Sequence, residues 1–268
     1  MLKDITIGQY FPGDSCVHRL DPRMKIVLTL AYVVMLFLAQ DMWGLLVGVA
    51  FLIIAYGVSR IPVKMILKSL KPVVPIILFT ALLNMFFIEG DTLWSWWIFK
   101  ISREGVQTAV LMAVRIICLI AGTSLLTYTT SPIALTDGIE RLMNPLKKLR
   151  FPVHELAMMM TIALRFIPTL IEETDKIMSA QKARGADLDN GGLMQRAKAL
   201  IPILIPLFVS AFRRADELAL AMECRCYRGG DGRTRLKQLR MHMVDFWGAA
   251  FVALCVAGVV AINLLVPR

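Results

Sequence analysis

The sequence predicts an all-α membrane protein with about five transmembrane helices and a cytoplasmic pair of long, proline-kinked amphipathic helices. Three observations lead there. Hydrophobic residues make up 57% of the 268-residue chain and mean hydropathy is +0.65, too apolar for an ordinary soluble domain. Several uninterrupted apolar runs reach or approach the roughly 20 residues needed to cross a bilayer. The net charge of +10 is concentrated in the connectors between those runs, which is the positive-inside pattern. No RNA- or DNA-binding motif accompanies the charge, so a nucleic-acid partner is not expected.

The polar, turn-rich segment 1–23 does not read as a signal peptide, because the first apolar run begins only at Met24 and lacks a small-residue cleavage site. Met24 to Gln40 and Trp43 to Val58 form two spans around a tight turn at Asp41. Gly44 and Gly48 make a small-xxx-small pair, a candidate packing face in a pattern that also arises by chance in apolar segments. Arg60, Lys64, Lys68 and Lys71 form a basic connector before a third span from about Pro72 to Ile88. Glu89, Asp91, Trp94, Trp96 and Trp97 read as an interfacial aromatic loop.

A fourth span, from about Gly105 to Thr127, carries Arg115 well inside it. That arginine is a candidate intramembrane polar site; the alternative is a charge that snorkels or pairs within the bundle. Residues 129–151 hold the Thr129-Thr130-Ser131-Pro132 break and a short amphipathic helix with Arg141, Lys147, Lys148 and Arg150. Arg233, Arg235, Lys237 and Arg240 lead into a last span from Val244 to Val266. The expected organisation is a membrane domain over 1–128, a cytoplasmic coupling domain over 129–240 and a C-terminal transmembrane helix over 241–268. The N-terminus then lies inside and Arg268 outside.

Between these parts, two long helices are expected over about 153–184 and 193–227. In the first, Leu156, Met159, Ala163, Ile167, Leu170 and Ile177 draw an apolar stripe, with Glu172, Glu173, Asp175 and Lys176 on the far face. In the second, the stripe is Leu200, Leu204, Leu207, Ala211, Ala215, Leu218 and Met222, interrupted by Arg213, Arg214, Asp216 and Glu217. Pro168, Pro202 and Pro206 each remove an amide donor and are expected to kink or break these helices. Met158, Met159 and Met160 are core filling or an adaptable docking surface. Each helix closes on an arginine tag, Ala183-Arg184-Gly185 and Cys224-Arg225-Cys226, the latter followed by Gly229-Gly230. Arginine at a helix C-terminus is favoured by the dipole, and glycine beyond it stops the helix.

No catalytic constellation is legible. There is no phosphate-binding Gly-x4-Gly-Lys-Ser/Thr loop, and His154-Glu155 lacks the second histidine of a zinc-protease helix, since position 158 is Met158. His18, His154 and His242 are otherwise isolated. Five scattered cysteines argue against a disulfide framework, and Cys224 and Cys226 have the wrong spacing for a zinc knuckle. No catalytic residue, bound cofactor or metal is therefore expected. An intramembrane enzyme would need convergent polar residues inside the spans, where only Asn84 and Arg115 stand out. A self-contained secondary transporter would normally show an internal repeat, and none is visible.

Three stretches in order resemble the transmembrane (T) component of energy-coupling factor (ECF) transporters, the EcfT/CbiQ family, and in particular its shared vitamin-transport branch. They are Gly8-Gln9-Tyr10-Phe11-Pro12-Gly13-Asp14-Ser15 with His18-Arg19-Leu20-Asp21-Pro22-Arg23; Arg165-Phe166-Ile167-Pro168-Thr169-Leu170 through Glu172-Glu173 to Ala180-Gln181-Lys182-Ala183-Arg184-Gly185; and Ala221-Met222-Glu223-Cys224-Arg225-Cys226-Tyr227. The resemblance implies a non-catalytic subunit in a bacterial cell membrane. It would dock Ala183, Arg184, Gly185, Cys224, Arg225 and Cys226 on two ABC-type ATPase subunits, EcfA and EcfA′-like, and hold a substrate-binding S component. ATP would be bound by those partners and substrate by the S component. A dedicated cobalt or nickel subunit of the CbiQ type is the neighbouring alternative. Cysteines flank Arg225 where the family pattern has alanine and glycine, which leaves the small-residue contacts of that tag open. No role transfers to Arg228.

Overall fold

The computed structural model describes residues 10–88, 92–96, 99–186, 192–229, 239 and 241–265. Its elements in order are α1 (Cys16–Arg19), α2 (Pro22–Leu38), α3 (Met42–Ser59), α4 (Val63–Leu70), α5 (Val74–Phe87), β1 (Thr92–Trp96), β2 (Phe99–Ser102), α6 (Arg103–Thr129), α7 (Pro132–Met143), a 3-10 helix (Asn144–Leu149), α8 (Val153–Ala183), α9 (Leu193–Cys224) and α10 (Met243–Leu265). Among the described residues the fold is all-α apart from one antiparallel hairpin, in which Trp94 pairs with Ile101 and Trp96 with Phe99. The aromatic segment read as a loop is therefore strand in part. Glu89, Asp91, Trp97, Gly8, Gln9 and the basic run Arg233, Arg235, Lys237 and Arg240 lie outside the described residues.

Among the described residues four helices, α3, α6, α8 and α10, are long and apolar enough to cross a membrane, and α4 with α5 makes a fifth candidate bent by 59°. The bend falls where Pro72 and Pro75 interrupt the amide ladder. Two features differ from the sequence reading. The helix α2 has 17 residues, about 25 Å of rise and short of a hydrocarbon core of about 30 Å. The helix α8 qualifies as a span by length and composition, although it was expected outside the membrane. Its charged residues crowd into the C-terminal half, and between Val153 and Leu170 only Glu155 and Arg165 are charged.

Two compact units emerge, one made of Gly8–Gly138 with Gln238–Arg268, the other within Ile139–Lys237. In the first, α2, α3, α6 and α10 share a core of Tyr32, Met35, Leu36, Ala39, Leu45, Leu52, Cys118, Ala121 and Val259. Tyr32 stacks on Phe51 at 5.0 Å and Phe51 on Phe251 at 5.6 Å. Gly44 and Gly48 are both buried, and a Cβ on Gly48 would stand 2.6 Å from Leu36 Cδ2. The small-residue pair is thus a packing face for α2. Gly122 of α6 plays the same part against the Tyr32 ring, with no room for a methyl group. Buried hydroxyls are satisfied between helices: Tyr56 donates to Ala121 O at 2.8 Å and Tyr128 to Met65 O at 3.0 Å.

In the second unit α8 and α9 pack side by side. Neither helix is broken by its prolines, which lie inside continuous segments. Pro206 cannot donate to the carbonyl of Pro202, four residues back, and Gln181 of α8 donates its Nε2–H to that orphaned oxygen at 3.4 Å. Further along, Glu173 of α8 accepts from Arg214 Nη2 at 3.0 Å and from Ser210 Oγ, both on α9. The pairings 181 with 202 and 173 with 210 and 214 run in opposite senses, so the helices are antiparallel.

The facing surfaces are rotated from the predicted stripes. On α9 the inward residues include Ile203, Leu207, Ser210, Ala211, Arg214, Leu218 and Met222, while Leu200, Leu204 and Ala215 are exposed. On α8, Met159, Ala163 and Ile167 are exposed and Glu173 faces α9. The seam holds an ion pair, which apolar periodicity alone would have placed outward.

Candidate functional site

The two arginine tags end their helices with the same backbone motif. Arg184 is the C-cap of α8, followed by Gly185 at φ 86°. Gly185 N–H donates to Lys182 O at 3.0 Å and Ala186 N–H to Gln181 O at 3.0 Å, the paired bonds of a Schellman turn. Arg225 is the C-cap of α9, followed by Cys226 at φ 57°. Cys226 N–H donates to Glu223 O at 2.8 Å and Tyr227 N–H to Met222 O at 3.0 Å. The helix-stopping residue of the second tag is therefore Cys226 and not Gly229, the described member of the Gly229-Gly230 pair to which the sequence reading gave that place; Gly230 lies outside the described residues. Gly229 is left-handed too, at φ 89°, but lies beyond the turn. Laying Ala183-Arg184-Gly185 on Cys224-Arg225-Cys226 was the signal that could have found it.

Both arginines, together with Ala183, Gly185, Cys224 and Cys226, are exposed. Among the described residues neither Arg184 nor Arg225 carries an ion pair. Because α8 and α9 are antiparallel, the tags sit at opposite ends of the pair. Arg225 lines a cleft with Met158 and Ile162 of α8, and the rise from Ile162 to Arg184 is about 33 Å at about 1.5 Å per residue. The two helix ends are matching, not identical, cationic turns. Each guanidinium offers five donors in a fixed fork and stays charged at any relevant pH.

Arg115 has a different setting. Its Nη2 donates to Ala39 O at 2.5 Å, at the C-terminus of α2. Asn263 of α10 donates to the neighbouring Leu38 O at 2.6 Å. Two side chains from two helices thus satisfy terminal carbonyls of α2 that have no partner within their own helix, and the positive charge faces the negative end of the dipole. Arg115 thus has a hydrogen-bond partner within the bundle.

The described part of the opening signature forms a polar knot, half-buried at Ser15 and His18 and buried at Asp21 and Lys25. His18 Nε2–H donates to Phe11 O at 3.0 Å, since a carbonyl oxygen only accepts, and Nδ1 lies 2.7 Å from Ser15 Oγ. Burial holds the His18 pKa below its ordinary value, and the nearby Lys25 charge adds to that. Phe11 N–H reaches Tyr128 O at 2.9 Å. Lys25, almost wholly buried, donates to His18 O at 3.0 Å and Thr129 O at 2.8 Å. Buried Asp245 accepts from Asp21 N–H and from His242 N–H, each at 2.7 Å. Sequence reasoning missed Lys25 and Asp245, although each is a charge just inside the start of an apolar span. Among the described residues no cluster of His, Cys, Asp or Glu could hold a metal ion.

A family model described as "Cobalt transport protein" (CbiQ) matches residues 13–236 of this chain. Among curated proteins the chain is similar to "Energy-coupling factor transporter transmembrane protein EcfT" of Ruminiclostridium cellulolyticum, 58% identical over 91% of this chain and 92% of that one. The protein of the same name from Clostridium kluyveri is 56% identical over 99% and 97% of the two chains. That of Thermosediminibacter oceani is 54% identical over 100% and 99%.

Proposed function

The chain belongs to the CbiQ/EcfT family of energy-coupling factor transmembrane proteins, and from that membership we propose that it is the coupling subunit of an ECF-type importer. It transmits ATP-driven motion from two ABC-type ATPase subunits to a substrate-binding S component, for uptake of a vitamin or another micronutrient. The observation that carries this reading is the pair of exposed arginines, without an ion pair among the described residues, in matching Schellman turns at the two ends of one antiparallel helix pair. Ala183, Gly185, Cys224 and Cys226 frame the two guanidinium groups as the docking tags. The chain itself is non-catalytic and binds no cofactor; ATP is bound and hydrolysed by its partners.

In this proposal α8 and α9 lie on the cytoplasmic side of a bacterial cell membrane, with the N-terminus inside and the C-terminus outside. The acidic and basic residues that crowd the C-terminal half of α8, and Arg213, Arg214, Asp216 and Glu217 on α9, favour that placement over a second buried hairpin. Ile201, Ile205, Phe208 and Phe212 of α9 form a large exposed apolar face, suited to the bilayer surface or the S component. The cobalt description belongs to the family model, while the relatives at 54–58% identity carry the ECF name. They support the general coupling role over a dedicated metal subunit.

The test is co-purification from membranes in which the chain is expressed with its ATPase and S partners. The native protein brings down two ATPase chains, and an Arg184→Glu/Arg225→Glu variant inserts normally but loses them. Full recruitment and uptake in the double variant rejects the proposal.

A further inference from the structure

The cleft beside Arg225 has more to it than one exposed guanidinium. It encloses about 350 Å³ and is lined by Met158 and Ile162 of α8, by Leu218 and Met222 of α9, and by the turn from Arg225 to Gly229. The four apolar side chains are all half-buried and make a floor contributed by both helices. The rim carries a second cation, Arg228. Among the described residues neither Arg225 nor Arg228 has an ion pair or a side-chain hydrogen bond. The left-handed Cys226 turns the chain so that residues 225–229 border the cleft instead of running on along the α9 axis.

An apolar floor of this size with two arginines on one side, neither ion-paired among the described residues, is complementary to a particular kind of ligand group. We infer that this cleft receives an apolar side chain of the partner ATPase, flanked by a carboxylate that bridges Arg225 and Arg228. The second tag is then a socket as well as a plug, and Arg228 is a recognition residue. Methionine suits such a floor, because its unbranched thioether repacks around different inserted groups. The cations hold the acidic residue beside the anchor, and charge-assisted bonds to a guanidinium fork fix its orientation. Buried anchors with a polar rim are the usual arrangement of a binding hot spot.

The inference rests on the coupling role proposed above, and its test separates the two. Native protein and single variants in nanodiscs are titrated with purified ATPase subunits, with thermal unfolding followed in parallel. Ile162→Trp fills the cleft without touching a charge; Met158→Trp fills it from the neighbouring turn of α8; Arg228→Glu reverses the rim charge at an exposed position. At least one filling variant that unfolds like the native protein, and Arg228→Glu, are expected to weaken ATPase binding about tenfold or more. Maleimide labelling of Cys226, read peptide by peptide, is expected to slow when the ATPase is bound. If these variants bind like the native protein while Arg184→Glu and Arg225→Glu do not, the coupling role stands and the socket is wrong. If the native protein binds no ATPase at all, the coupling role itself has failed. Should both filling variants unfold early, Arg228→Glu and the Cys226 labelling decide the matter alone, and unchanged values of both overturn the socket.

Discussion

Gly185 and Cys226 hold the same place in two helix ends. Each follows an arginine C-cap, each is left-handed, at φ 86° and 57°, and each donates its amide to the carbonyl three residues back. Only one of the two is glycine. A side chain in the left-handed region costs about 1–2 kcal/mol, since its Cβ crowds the following carbonyl. Cys226→Gly is therefore expected to stabilise the end of α9 by about 1 kcal/mol, and Gly185→Ala to destabilise the end of α8 by a similar amount. Thermal unfolding of the detergent-solubilised protein, with hydrogen exchange at Tyr227 and Ala186 as local readouts, checks both. A destabilising Cys226→Gly would mean that the thiol makes contacts worth more than the backbone strain.

Much of this architecture is legible in the sequence, and most of the parts that are not share a cause. The extents of α8 and α9 follow from periodicity and from the tags, because a run of good helix formers closed by a capping turn is a local property. The packing role of Gly44 and Gly48 is half legible. Their spacing is visible, but only the approach of Leu36 makes it matter. Facing residues are the least legible. Glu173 and Arg214 lie in the α8–α9 seam, and a charge turned inward is recognisable only once its partner on another helix is known. The same holds for Lys25, whose acceptors are carbonyls of His18 and Thr129. Cys226 differs, since its left-handed turn is local and is hidden only by a residue type that rarely adopts that conformation.

Arg115 is expected to act on stability. Its bond to Ala39 O closes the C-terminus of α2 inside the bundle, and a hydrogen bond from a charged group contributes about 1.5–3 kcal/mol. Arg115→Met is expected to cost about that much in thermal unfolding and to loosen the α2–α3 turn. Arg115→Lys recovers part of the loss, because an ammonium still faces the helix dipole but lacks the fork. Native stability in Arg115→Met with impaired uptake would assign the residue a transport role in place of a structural one.

The N-terminal knot is expected to respond to acid through His18. An imidazole whose folded pKa is held below its ordinary 6.5 binds a proton less readily folded than unfolded. Its contribution to stability is then complete above that value and is lost as pH falls below it. Protonation would place a second donor against Ser15 and a second positive charge near Lys25. Glutamine at this position can still donate to Phe11 O and does not titrate. The fall in melting temperature between pH 7 and pH 5 should accordingly be smaller in His18→Gln than in the native protein. An identical fall in both would show that the knot is insensitive to this ring.

The seam between α8 and α9 gives the most direct test of how the two tags communicate. Glu173 reaches across to Arg214 and Ser210 in mid-helix, and Gln181, one turn before the first tag, to the carbonyl freed by Pro206, so two cross-links fix how one helix lies on the other. If both ends are pulled by partner subunits, the cross-links decide whether the pair moves as one body or slides. Glu173→Arg and Arg214→Glu, each placing like charges together in the seam, are expected to reduce uptake several-fold while leaving ATPase recruitment near native, because the tags themselves are untouched. The swapped double variant restores opposite charges and should recover most of the uptake. That non-additivity is the signature of a direct pair. Additive losses in the swap would place the effect elsewhere, and loss of recruitment in the single variants would mean that the seam shapes the docking ends instead of coupling them.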